Sequence, residues 1–190
     1  MDDFLEQVVA RKRRGASEAL YYAAWIFLAV FAFVGLTNLT GMLYTGEDGG
    51  LKFNIVALAT GTVFLGAAFL FWKATFRLRT EYDYSFTNGV IDVARVMNRK
   101  KRAYLTSVET KELRAAGEVG SAAYQKWARE DGVKLHKWYV NGGAKLYFFA
   151  FERKGGRHLM LLELNDEMAK LIFNRRYMPS SAWDGAYRGV

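Results

Sequence analysis

Two stretches decide the fold: residues 19–46, ALYYAAWIFLAVFAFVGLTNLTGMLYTG, and residues 53–72, FNIVALATGTVFLGAAFLFW. Neither contains an Asp, Glu, Lys or Arg. Glu18 and Glu47 bound the first, and Lys52 and Lys73 bound the second. A bilayer core takes roughly 20 apolar residues as a helix, so each stretch is long enough to cross. Tyr21, Tyr22, Trp25, Tyr44, Phe71 and Trp72 stand near their ends, where interfacial aromatic rings are expected. The reading is a transmembrane α-helical hairpin. The competing readings are a cleaved signal peptide and a pair of helices buried in a soluble core. The first stretch is longer than a signal h-region of about 7–15 residues and no small-residue cleavage pattern follows it. A soluble helix rarely runs five turns without a charged face.

Lys and Arg set the orientation. Arg11, Lys12, Arg13 and Arg14 precede the first stretch, and Lys73, Arg77 and Arg79 lie at or beyond the end of the second. The link 45–51 between them holds Glu47 and Asp48 and no cation. The positive-inside rule then puts both termini in the cytoplasm and the link outside, at a bacterial inner membrane. Ala57 with Gly61, and Thr62 with Gly66, give small-xxx-small spacing for close helix packing, within the hairpin or against a second copy. No ionisable group lies within either stretch, which disfavours a proton or ion path and favours an anchor.

The chain has 190 residues, 52% hydrophobic and 16% aromatic, too apolar for a disordered polypeptide. It has no cysteine, which excludes disulfides, thiolate metal sites and cysteine nucleophiles. His136 and His158 are its two histidines, and no carboxylate cluster at ligand spacing accompanies them. No phosphate-loop, nucleophile-elbow or zinc-protease motif occurs. The expectation is a protein with no catalytic residues, no cofactor and no metal.

The net charge of +8 belongs to the segment after the second stretch. Tyr82, Tyr84 and Phe86 alternate with Glu81, Asp83 and Ser85, continuing a pattern from Phe76, Leu78 and Thr80. Period-2 alternation with aromatic residues indicates a strand over 76–86. Asn88-Gly89 supplies a type I′ hairpin turn, and 90–97 returns as a second strand. Residues 98–102, NRKKR, form a basic turn before a third strand over 103–110. A short strand within 111–120, a helical turn over 121–129, and strands over 133–140, 144–153 and 157–164 follow. The 144–153 strand is apolar on both faces and therefore central. Asn165 caps a helix with Asp166 and Glu167 at its positive end. Met168, Leu171 and Ile172 form its apolar face, and Pro179 ends it. Glu163, Asp166 and Glu167 read as helix-start charges.

Short connections favour antiparallel meanders. The expected class is α+β: an N-terminal transmembrane helical hairpin, then an antiparallel β-barrel or sandwich of about six or seven strands capped by a C-terminal helix. That is a pleckstrin-homology-like (PH-like) architecture; an open sheet with one helix across it is the alternative. The expected divisions are a cytoplasmic segment 1–17, the hairpin 18–73, the β domain 74–178 and a loose tail 179–190.

The opening MDDF with Val8-Val9-Ala10-Arg11-Lys12-Arg13, the two apolar stretches, EYDYSFTNGVIDV over 81–93 and the basic residues 99–102 resemble the DUF6106 group. These are two-span Firmicutes membrane proteins with a PH-like cytoplasmic domain and no assigned activity. The similarity runs over most of the chain. Val90, Ile91 and Ala94 depart from the group's usual residues. The resemblance implies an architecture and no chemistry. It also implies that a basic hairpin near the first strands faces phospholipid.

Arg95, Arg99, Lys100, Lys101 and Arg102 are the candidate contact residues for an anionic headgroup or a partner, since Arg offers forked donors and Lys a point charge. The bland reading is a solvated turn. Tyr82, Tyr84 and Phe86 read as core. Trp127 and Trp138 read as buried, with an exposed partner patch as the alternative. Basic charge spread over the domain, not gathered on one stripe, argues against nucleic acid. The preferred function is a non-catalytic membrane protein presenting its domain to a protein partner, as an accessory subunit or homo-oligomer. A sensor of anionic lipid headgroups and a membrane enzyme of unrecognised type are the alternatives.

Overall fold

The computed structural model describes residues 3–12, 14–179 and 181–182. The chain divides into two compact units, one of Arg13–Arg79 and one of Met1–Lys12 with Thr80–Val190.

The first unit is helical. Helix α1 covers Arg14–Thr40 and helix α2 covers Ile55–Leu78. Both are long and apolar enough to cross a membrane, and only 11% and 17% of their most apolar windows are buried. Phe33, Val63, Ile55 and Leu70 are all exposed. Helices in the core of a soluble protein are mostly covered, and these are not. Phe31 stacks on Phe64 at 5.5 Å and Phe27 on Phe71 at 5.3 Å, and Thr60 Oγ1 donates to Asn38 Oδ1 at 2.9 Å. The pairing runs antiparallel. Gly61 lets the backbones close: a Cβ there would come within 3.0 Å of the Gly35 carbonyl oxygen. Gly61 is thus spent inside the pair, while Gly66 has open space beside it. The link between the helices is itself ordered, with strands β2 (Leu43–Thr45) and β3 (Leu51–Phe53) paired antiparallel. Asn54 caps α2 by accepting from the Ala57 N–H at 3.1 Å.

The second unit is a β sandwich. One sheet has the order β1 (Phe4–Val9), β4 (Thr80–Thr87), β5 (Val90–Met97), β6 (Lys101–Glu109). The other has the order β7 (Leu113–Glu118), β9 (Tyr147–Arg153), β10 (Gly156–Leu162), β8 (Lys134–Trp138). They do not close into a barrel. Helix α3 (Ala122–Arg129) lies between β7 and β8 in sequence, and α4 (Asp166–Ile172) follows β10. One core joins Tyr84, Phe86, Ile91, Val93 and Val108 to Phe149, Phe151, Met160 and Leu162, with Met168, Ala169 and Ile172 of α4 packed among them. Fully burying each large apolar side chain contributes about 1.5–3 kcal/mol. The opposite face of the second sheet is covered by Ala123, Tyr124 and Trp127.

Several expectations are corrected. The strand read from Phe76 is helix as far as Leu78, because the α2 ladder continues past its uncharged stretch; β4 begins at Thr80. Residues 4–9, read as part of a separate segment 1–17, are a strand of the β domain, pairing Leu5 with Phe86 and Val9 with Tyr82. The domain therefore does not begin at 74. Strand β8 does not form a hairpin with β9; it runs parallel to β10 at the sheet edge. The C-terminal helix stops at Ile172, before Pro179. The tail is held at Ala182, which is buried and accepts from the Ala116 N–H at 2.7 Å. The rest of the expected loose tail, 180 and 183–190, lies outside the described residues. The Asn88-Gly89 turn has both residues left-handed, and Asn165 accepts from the Met168 N–H at 2.8 Å, as the sequence indicates.

The helical unit is an insertion between β1 and β4, which are adjacent and antiparallel. Beyond β1 the chain is pinned. Asn141 Nδ2 donates to the Ala10 carbonyl at 3.0 Å, and the Lys12 N–H donates to Asn141 Oδ1 at 2.9 Å. The buried Glu163 carboxylate accepts from the same Nδ2 at 2.9 Å and from the Asn141 N–H at 3.1 Å. Gln7 donates to the Glu163 carbonyl at 2.9 Å and accepts from the Asn165 N–H at 3.0 Å. Glu163 is thus a clamp residue and not a helix-start charge.

Candidate functional site

The basic residues sit on the β5–β6 hairpin. Asn98 and Arg99 are both left-handed, and the Lys100 N–H closes the turn on the Met97 carbonyl at 3.1 Å. Two consecutive left-handed residues match the twist of a hairpin. Register places Met97 opposite Thr80, so this turn lies at the end of the sheet where β4 begins. Strand β1 leaves the sheet at the same end, since Val9 pairs with Tyr82.

The five cations do not converge. Arg95 pairs with Tyr82 and Ala103, and Lys101 with Met97, which assigns both to the face that carries Tyr84. Arg102 pairs with Val96, which opposes Glu81, so it belongs to the other face. There Arg102 meets Asp83 at 3.3 Å and Glu6 at 3.8 Å. Arg99 meets Glu81 at 3.4 Å. Asp83 is buried, and its second oxygen, Oδ1, has no hydrogen-bond partner. Arg99 and Arg102 are therefore occupied by carboxylates from β1 and β4. Arg95, Lys100 and Lys101 are exposed and form no ion pair among the described residues. The arrangement is an ion-paired sheet end with three free cations, not a preformed phosphate cradle. The exposed Arg102–Glu6 pair contributes little, whereas the Arg102–Asp83 pair serves a buried carboxylate.

Tyr84 and Phe86 are core, and Tyr82 is half-buried against it. Burial raises the Tyr82 phenol above its ordinary range, with the Arg95 charge opposing. Tyr84 is pushed much further by burial, and its hydroxyl donates to the Trp138 carbonyl. Trp127 and Trp138 pack against different faces of the second sheet and form no common patch.

The structure does join one pair that the sequence leaves apart. His136 Nε2 and His158 Nδ1 share a hydrogen bond of 3.0 Å, with the rings parallel within 6°. Phe151 stacks on His158, and Trp138 lies against His136. Parallel pairing of β8 with β10 creates this contact. Among the described residues no third ligand joins them, since no group of three His, Asp or Glu side chains could hold a metal. Both imidazoles titrate below their ordinary value of 6.5, first through burial, then through charge. His158 and Lys134 depress His136, and Lys134 and Arg153 depress His158.

Two four-stranded sheets around one core, interrupted by two helices long and apolar enough to cross a membrane, define the class as a membrane-associated β protein. Residues 1–183 match the family described as a bacterial PH-like domain (DUF6106), and the chain belongs to that family. No curated protein and no solved structure matches.

Arg102→Ala is expected to destabilise the protein by roughly 1–3 kcal/mol, because it strands the buried Asp83 carboxylate. Lys100→Ala and Lys101→Ala should stay within about 0.5 kcal/mol of the parent. Denaturant unfolding followed by tryptophan fluorescence checks both. Acid provides a second test. Folded imidazoles with lowered pKa bind fewer protons than unfolded ones, so stability is complete above about pH 6.5 and falls as pH drops below it. Thermal melts across that window should show this slope, and replacing both histidines by Phe should flatten it.

Proposed function

We propose that this chain is a non-catalytic protein of the bacterial inner membrane. It crosses the bilayer twice and presents its PH-like domain in the cytoplasm to a protein partner, as an accessory subunit of a membrane complex. The observation that carries this reading is the pairing of β1 with β4 around two exposed apolar helices. A strand pair cannot form across a bilayer, so residues 4–9 and 80–87 share a compartment and the insertion between them crosses an even number of times. Cations at both flanks, Arg11 and Lys12 before α1 and Arg77 and Arg79 at the end of α2, favour the cytoplasm for that compartment.

The chain lacks cysteine, so single introduced thiols report topology directly. A Glu47→Cys thiol should react with a membrane-impermeant maleimide in intact spheroplasts, and a Lys126→Cys thiol only after lysis. The reverse pattern, or release of the protein from membranes by alkali, contradicts the reading. Purification in mild detergent should bring down one partner in stoichiometric amount; a protein that is alone in every preparation contradicts the subunit role.

A further inference from the structure

Between Phe31 and Thr60 the two helices are packed closely. Gly35 lies under Leu65, Gly61 under Leu39, and Asn38 bonds to Thr60. Toward the start of α1 and the end of α2 the side chains shrink to Ala23, Ala24 and Ala74, and a groove of about 310 Å³ opens. The stacked Phe27 and Phe71 line it, as does Arg77.

We propose that this groove holds one acyl chain of an anionic phospholipid whose phosphate is bound by Arg77. The proposal rests on the membrane-spanning reading above. Three arguments choose the occupant. The groove is apolar apart from Arg77, and its volume of about 310 Å³ is less than one turn of a second helix, about 10–12 Å across with its side chains, would fill. A hollow surrounded by hydrocarbon loses dispersion contacts along its whole lining unless a flexible chain fills it. Charge supplies the third. At about 1.5 Å per residue, roughly 20 residues of α2 span the hydrocarbon and bring the helix to Ala74. Arg77 follows less than one turn later, at headgroup depth.

Its neighbouring cations are turned to aromatic rings: Arg79 lies 3.7 Å from the Tyr21 ring and Lys73 5.0 Å from the Phe69 ring. Arg77 has no carboxylate partner among the described residues. A guanidinium fork matches a phosphate with two parallel donors, and the cytoplasmic leaflet is the anionic one.

The test uses the full chain in mild detergent, offered phosphatidylglycerol or phosphatidylcholine and read by native mass spectrometry. One phosphatidylglycerol should be retained about fivefold to tenfold better than phosphatidylcholine, the discrimination that a single cation at the surface supplies. Arg77→Gln should bring the two lipids level, and Arg77→Lys should keep part of the preference. Ala23→Leu combined with Ala74→Leu, which fills the groove, should abolish retention of both lipids while circular dichroism stays helical. Unchanged phosphatidylglycerol retention in Arg77→Gln, or in the filled-groove variant, overturns the proposal. Release of the protein from membranes by alkali would instead defeat the spanning reading, so the two failures are distinguishable.

Discussion

The antiparallel pairing of Phe4–Val9 with the strand that begins at Thr80 is the constraint on which the rest depends. It joins two segments separated by the whole helical insertion and makes that insertion the loop of a β hairpin. Hydrogen bonds from Asn141 to Ala10 and Glu163, and from Gln7 to the Glu163 carbonyl, hold the departing chain to the domain. These groups are polar and largely withdrawn from water, so each must be matched or pay its desolvation. Matched, they fix where the polypeptide leaves the sheet. Both connections to the helices then leave from one sheet end, the end that carries the basic turn.

Electrostatics at that end is a contest between sheet periodicity and sequence adjacency. Neighbours along a strand point to opposite faces, so Arg102 separates from Arg95 and Lys101, while Arg99 and Lys100 lie in the turn between the strands. Arg99 and Arg102 find acids contributed by β1 and β4; Arg95, Lys100 and Lys101 stay in solvent. The consequence is structural where the acids are, at Arg102 and Asp83, and available for recognition where they are not, at Arg95, Lys100 and Lys101.

The helices and the first β hairpin were legible because their signals are local. An uncharged run identifies a helix of membrane length, and alternation through Tyr82, Tyr84 and Phe86 into Asn88-Gly89 identifies a strand and its turn. Strand β1 was illegible for a physical reason. Its inward side includes Gln7 and its outward side includes Phe4 and Val8, so the polar–apolar alternation that marks a half-buried strand is absent. Its partner lies beyond the insertion. The parallel direction of β8 has no local signature either, so the His136–His158 contact was beyond reach. The basic turn was found, but its acidic partners Glu6 and Asp83 come from other strands, and their neutralising effect follows only from the register.

The most direct measurement of the central pairing is oxidative cross-linking of Glu6→Cys with Ser85→Cys, two residues in register across β1 and β4, in isolated membranes. With no native thiol to compete, copper-catalysed oxidation should block nearly all maleimide labelling of this pair. It should leave Glu6→Cys with Glu47→Cys reactive. Labelling that survives oxidation in the 6/85 pair as fully as in the 6/47 pair would mean that the strand does not close on β4, and the account built on that closure would be contradicted.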